Sequence, residues 1–240
     1  MTGTSGLARL AGLLYLILAA CGGWAELAVR SGVRVPGDAA ATAANVVAQA
    51  SLMRLAFAAD LVNITCFLLV ALVMYAILKP VDDRIALAMV GFNAVAVAIL
   101  GANLLNHLGA LLVATEPAYA AGLSAERIAG LVALLLEMHR HGYHVAQIFF
   151  ALWLLPLGYL VYRSGYFPRA LGVLLMLGCA GYLAGLVVTY LAPNFESSLA
   201  PIFALPAGLA EVLFLLWLLV RGARSAPVAQ REAVASAVSA

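Results

Sequence analysis

Along the chain, apolar residues gather into blocks about 20 long, separated by short stretches of charge, Gly and Pro. A helix rising about 1.5 Å per residue needs that length to cross about 30 Å of hydrocarbon, so each block predicts a membrane-spanning helix. The blocks run from about Leu7 to Leu27, Leu52 to Leu78, Ile85 to Val113, Val145 to Tyr162, Ala170 to Leu191 and Ile202 to Val220. Lys79-Pro80 stops the second, because Pro lacks an amide proton and clashes with the preceding turn. The alternating short segments of a membrane β-barrel are not visible. The expected fold is all-α: a polytopic membrane protein with six transmembrane helices.

Two loops carry helix-start signals of their own. Asp38, after Val35-Pro36-Gly37, predicts the cap of an alanine-rich helix over about Ala39 to Gln49, and Ser124 the cap of another over about Ala125 to His139. The apolar run Ile128 to Leu136 is too short to span, so both read as short extracytoplasmic helices. The second can also run on into span four, with any break expected at Gly142. Arg9, Lys79, Arg84, Arg163, Arg169, Arg221 and Arg224 fall on one side of the spans, against Arg30, Arg34 and Arg127 on the other. The first side is therefore read as cytoplasmic and holds both termini. Tyr159, Tyr162, Tyr166 and Phe167 fit an aromatic belt there. Residues 1–224 read as one transmembrane domain, and residues 225–240, small, polar and aperiodic, as a disordered cytoplasmic tail. Leu18-Ala19-Ala20-Cys21 has the look of a lipoprotein cleavage site, but one Arg before it and five spans after it favour a retained helix.

Composition closes off other classes. With 65% hydrophobic and 10% charged residues and a mean hydropathy of +1.06, the chain lacks the polar surface of a water-soluble globule, which runs near a quarter charged. A net charge of +2, with the basic residues scattered over segment ends, gives no footing for nucleic acid, and no such partner is expected. A phosphate-binding Gly-x-x-x-x-Gly-Lys-Ser/Thr loop is absent. Cys21, Cys66 and Cys179 lie in apolar blocks and imply no disulfide.

What remains is a set of polar groups where lipid is expected. An ionisable side chain in a membrane costs about 2.5 to 3.5 kcal/mol on insertion scales, so such groups turn inward and find partners. Glu26 lies near the outer end of span one, Asp60 and Asn63 in span two, and Asn103, Asn106 and His107 in span three. Glu137, His139, Arg140, His141, His144 and Gln147 occupy the entry to span four, and Glu211 the middle of span six. Asn103 with His107, Asp60 with Asn63, and Glu137 with His141 and His144 are three or four apart, which places each set on one helix face. Turned inward, these stripes make an outward-facing polar pocket from Glu26, Asp60, Asn63, Asn103, Asn106, His107, Glu137, His144, Gln147 and Glu211. The leading reading is a site that binds or transports a small polar or amphiphilic molecule. Pro156 and Pro206 expose helix carbonyls, as transporter sites do.

Two other readings compete. Imidazole plus carboxylate suits zinc, with His107, His139, His141 and His144 as candidate ligands, which would make the chain a metal-dependent membrane hydrolase. Haem between His107 and His144 carries less, because span three offers a single His. The alternative without a ligand pairs Glu26 with Arg30 and Arg54 with Asp60 or Glu137, and lets the Asn residues bond helices together in a structural polar core.

Val35-Pro36-Gly37-Asp38-Ala39-Ala40, Leu100-Gly101-Ala102-Asn103-Leu104-Leu105-Asn106, His141-Gly142-Tyr143, and the run from Gly158-Tyr159 through Arg163-Ser164-Gly165-Tyr166-Phe167-Pro168-Arg169 to Gly172 occur in an order that resembles a bacterial membrane family. That family is catalogued as domain of unknown function 4386. The resemblance covers nearly the whole chain apart from the tail. It implies this architecture in a bacterial inner (plasma) membrane and supplies no chemistry. The expected partners are the lipid bilayer, a small-molecule ligand and a second copy of the chain.

Overall fold

The computed structural model describes residues 2–224; Met1 and residues 225–240, the segment expected to be disordered, lie outside the described residues. Helix accounts for the architecture, and no strand occurs among the described residues. Among the described residues five helical stretches are long and apolar enough to cross a membrane: Gly3–Val33, Ala50–Leu78, Asp83–Thr115, Ala125–Ser164 and Arg169–Leu191. A further helix, Glu196–Val220, contains the shorter apolar stretch Leu205–Val220.

In chain order the first stretch comprises α1 (Thr2–Trp24), a π-helical turn (Ala25–Arg30) and α2 (Ser31–Val33). It runs past the expected end at Leu27 and takes Arg30 into the helix. Next comes α3 (Ala39–Ala48), where Asp38 accepts from the Ala41 amide at 2.8 Å, the cap the sequence predicts. Then follow α4 (Ala50–Leu78), α5 (Asp83–Thr115) and α6 (Pro117–Ala120). The second loop helix is not separate: α7 runs from Ala125 to Leu152, continuous with span four. Gly142, where a break was expected, lies inside it. The interruption falls at Trp153, because Pro156 has no amide proton to offer the Leu152 carbonyl. Beyond it α8 (Leu154–Ser164) ends on Gly165, whose φ of +69° favours glycine. The chain closes with α9 (Arg169–Leu191), a 3₁₀ turn (Pro193–Phe195) and α10 (Glu196–Val220).

The described residues fall into two compact units. One takes the described parts of Met1–Tyr15, Leu68–Ala94 and Gln147–Ala240; the other takes Leu16–Phe67 and Val95–Ala146. In the first, α8 and α9 approach backbone to backbone. A Cβ on Gly158 would stand 2.6 Å from the Gly172 carbonyl oxygen, and one on Gly172 2.7 Å from the Tyr162 amide. Gly181 of α9 lies against the Phe203 carbonyl of α10, where a Cβ would stand 2.5 Å from the oxygen. Tyr166 and Phe167 are buried in this unit rather than standing in an aromatic belt, with Phe167 edge-on to Phe214 at 5.7 Å. Burial also raises the Tyr166 hydroxyl above its ordinary pKa. Tyr159 and Tyr162 do meet cations, Arg163 at 5.8 Å and Arg169 at 5.6 Å.

The second unit is built round an apolar core of Ala25, Val29, Val33, Val46, Met53, Ala56, Ala110, Leu111, Val132 and Leu136. The π-helical turn, α2, α3, α4, α5 and α7 all contribute to it, and the candidate site lies in this unit.

Candidate functional site

Four charged residues of the second unit, Glu26, Arg30, Arg34 and Asp60, form a chain of ion pairs. Glu26 and Arg30, one turn apart in the π-helical segment, meet at 2.7 Å. Arg30 passes on to Asp60 of α4, Nη1 to Oδ2, at 2.5 Å. Arg34 donates to the other Glu26 oxygen. Arg30 is 5% exposed and Asp60 7%, so their attraction acts in a low dielectric, and each charge would be costly alone. The expected Glu26–Arg30 pair is present. Arg54 is not where that ligand-free account placed it. It is exposed and lies 4.0 Å from Glu116, because Arg30, four residues along the helix from Glu26, already holds Asp60.

Beside Asp60 stand two buried imidazoles from two further helices, His107 of α5 and His139 of α7. Their rings meet edge-on with centroids 5.7 Å apart. His107 Nε2 lies 2.9 Å from the Met53 carbonyl oxygen, and His139 Nδ1 3.2 Å from that of Asn103. A carbonyl only accepts, so these two nitrogens carry the protons and donate. The second nitrogen of each neutral ring then bears a lone pair. Among the described residues, the buried His107 Nδ1 has no hydrogen-bond partner. One ligating atom each from Asp60, His107 and His139 lies within 4.8 Å of the others. Ligands at about 2.1 Å round a tetrahedral zinc lie roughly 3.4 Å apart, so side-chain shifts of about an ångström suffice to close the set. A ring N–H fixed on a carbonyl, with the opposite nitrogen free, is the arrangement that orients metal-ligating histidines.

Asn103 braces the same corner: its side chain donates to the His139 carbonyl at 2.8 Å and accepts from Asn106 at 3.0 Å. Gly142 leaves the room for it, since a Cβ there would overlap the Asn103 amide. Asn63 works elsewhere, donating to the Leu18 carbonyl at 2.7 Å over the notch left by Gly22. Glu137 is exposed and pairs with Arg140 at 2.9 Å. His141, exposed, and His144, half-buried, meet edge-on at 5.9 Å and stand outside the Asp60 group. Gln147 and Glu211 belong to the other unit, where Glu211 accepts from Tyr15 and Tyr182.

The structure thus gathers Asp60, His107 and His139, with Asn103 and Asn106 bracing them and Glu26 joined through Arg30. Sequence reasoning passed over Arg30 as a site residue because it closed span one at Leu27. The signal was there: Glu26, Arg30 and Arg34 step by four along one helix face.

Helices of this length and hydropathy define a multi-pass α-helical membrane protein. The chain belongs to the family described as domain of unknown function (DUF4386), whose model matches residues 10–222. It is also similar to an uncharacterised protein of Archaeoglobus fulgidus, 33% identical over 84 residues, which are 35% of this chain and 48% of that protein. The chain thus spans about half the length of the curated relative it matches. No solved structure matches.

Proposed function

We propose that the protein is a metal-dependent protein of the bacterial inner membrane, holding one zinc-class divalent cation between Asp60, His107 and His139. The carrying observation is the buried, unpartnered His107 Nδ1 beside a carboxylate and a second oriented imidazole. Burying such an acceptor without a partner costs about 1–3 kcal/mol, a loss that a metal bond removes. Asp60 remains suited to ligation while bonded to Arg30, because a carboxylate has more lone pairs than that contact occupies. Glu26, Arg30, Arg34 and Asp60 set two carboxylates against two guanidinia. The cation's charge is then uncompensated, and its fourth position favours water, hydroxide or a small anionic group. The surrounding charges satisfy one another, which supports a small ion over a bulky amphiphile. In this reading α10 is the sixth span of a single domain, both termini are cytoplasmic, and the centre is reached from the outer side.

The test is zinc binding to the chelator-stripped, detergent-purified chain, followed by calorimetry and elemental analysis. The expected result is about one ion per chain, with affinity falling at least about tenfold in His107→Ala, His139→Ala and Asp60→Asn and unchanged in His141→Ala. Retained helical circular dichroism and a monodisperse elution profile show that the variants fold. Zinc binding equally well to a folded His107→Ala/His139→Ala double variant sinks the proposal.

A further inference from the structure

The first unit contains a carboxyl group outside the proposed metal site. Glu211 lies within the apolar stretch Leu205–Val220 of α10. The Tyr15 hydroxyl donates to Oε1 at 2.6 Å, and the Tyr182 hydroxyl to Oε2 at 2.6 Å. Tyr15 comes from α1 and Tyr182 from α9, so one carboxyl group joins three helices. Behind the two phenols stand uncharged rings: Trp153 at 6.4 Å from Tyr15, and Phe150 edge-on to Tyr182 at 5.6 Å. Among the described residues no guanidinium, ammonium or imidazole pairs with Glu211; the groups facing it are the two phenols.

That donor set distinguishes Glu211 from Asp60. A guanidinium can only donate, whereas a phenol can donate or accept and so accommodates either form of a carboxyl group by changing direction. With the carboxylate ionised, both phenols donate. When a proton from water binds one oxygen, the acid gains an O–H of its own and needs an acceptor. One phenol must then turn from donor to acceptor or let go, and the bond that ties α10 to α1 or to α9 changes with it. A carboxyl group in a membrane helix without a counter-charge is the usual marker of a proton-exchange position.

We propose that Glu211, Tyr15 and Tyr182 form a proton-binding site, at which uptake of one proton rearranges the hydrogen bonds between α10 and its two neighbours. The site is independent of Asp60, His107 and His139 and stands or falls without them.

The experiment is infrared difference spectroscopy of the full chain in phosphatidylcholine vesicles, titrated between about pH 4 and about pH 9, a window that spans ordinary carboxyl and imidazole titration. The expected result is a carboxylic-acid C=O band that shifts in deuterium oxide, appears with a single midpoint, and is missing from Glu211→Gln. In Tyr15→Phe and in Tyr182→Phe the midpoint moves by at least about tenfold in proton concentration, because each removes a hydrogen bond to a charged group. These two variants carry the test if Glu211→Gln does not fold. A spectrum in which the band survives Glu211→Gln overturns the proposal, and so do midpoints that ignore both tyrosines or the absence of any titrating band.

Discussion

Replacing Gly142 by alanine is the sharpest probe of the second unit, because the same change twelve positions earlier on the same helix supplies its control. A Cβ at Gly142 would overlap the Asn103 side chain, whereas at Gly130 it would meet nothing within 4 Å. Insertion into a packed site costs about 1–3 kcal/mol. Displacing Asn103 also breaks its interhelical bond to the His139 carbonyl, at about 0.6 kcal/mol for such bonds in membranes, and its bond within α5 to Asn106. Helix propensity returns up to about 1 kcal/mol at either position. Gly142→Ala is thus expected to destabilise by about 1–3 kcal/mol, and Gly130→Ala to be neutral or to stabilise by up to about 1 kcal/mol. Unfolding in mixed micelles by a denaturing detergent, followed by helical circular dichroism, reads both. Equal midpoints, or a Gly142→Ala chain more stable than Gly130→Ala, refute the idea that this glycine exists to admit Asn103.

Arg30→Met leaves Asp60 buried without its cation and should cost about 3–5 kcal/mol, while Arg30→Met/Asp60→Leu should recover much of that loss; a double variant no more stable than the single argues against a buried pair. Gly172→Ala drives a methyl group toward the Gly158 carbonyl and the Tyr162 amide, so it should lower the unfolding midpoint by the equivalent of at least about 1–3 kcal/mol. Arg140→Ala removes an exposed pair with Glu137 and should change stability by less than about 1 kcal/mol in the same assay.

Much of the fold could be read from the sequence, because bilayer thickness imposes a length on every apolar block. Ala50–Leu78 and Arg169–Leu191 fall within a residue or two of the expected bounds. The departures have local causes. Gly142 looked like a helix breaker, but glycine inside a membrane helix serves equally as a notch for a neighbour, and only the partner, Asn103, tells the two roles apart. Tyr166 and Phe167 looked like interface anchors, yet the turn at Gly165 carries them into the core. In the candidate site, the Asn103–His107 face was legible from spacing along one helix. That His139, rather than His141 or His144, joins Asp60 depends on the rotation of α7 against two other helices, which no periodicity encodes. The phenols around Glu211 were invisible for the same reason, since Tyr15 and Tyr182 lie 196 and 29 residues from it.

The widened turn at Ala25–Arg30 carries a mechanical consequence. Two ladders climb it side by side, each with rungs four residues apart: Ala25, Val29 and Val33 seated in the apolar core, and Glu26, Arg30 and Arg34 in the charged relay. An ordinary helix advances about 100° per residue, so rungs four apart would drift by some 40° at each step, whereas a turn with more residues per revolution cancels that drift. The ladders are geared to one another: rotation enough to carry Arg30 off Asp60 also unseats Val29. A one-residue deletion in this turn would strip both sets of teeth together, so the relay is a fixed brace for its neighbours and not a hinge.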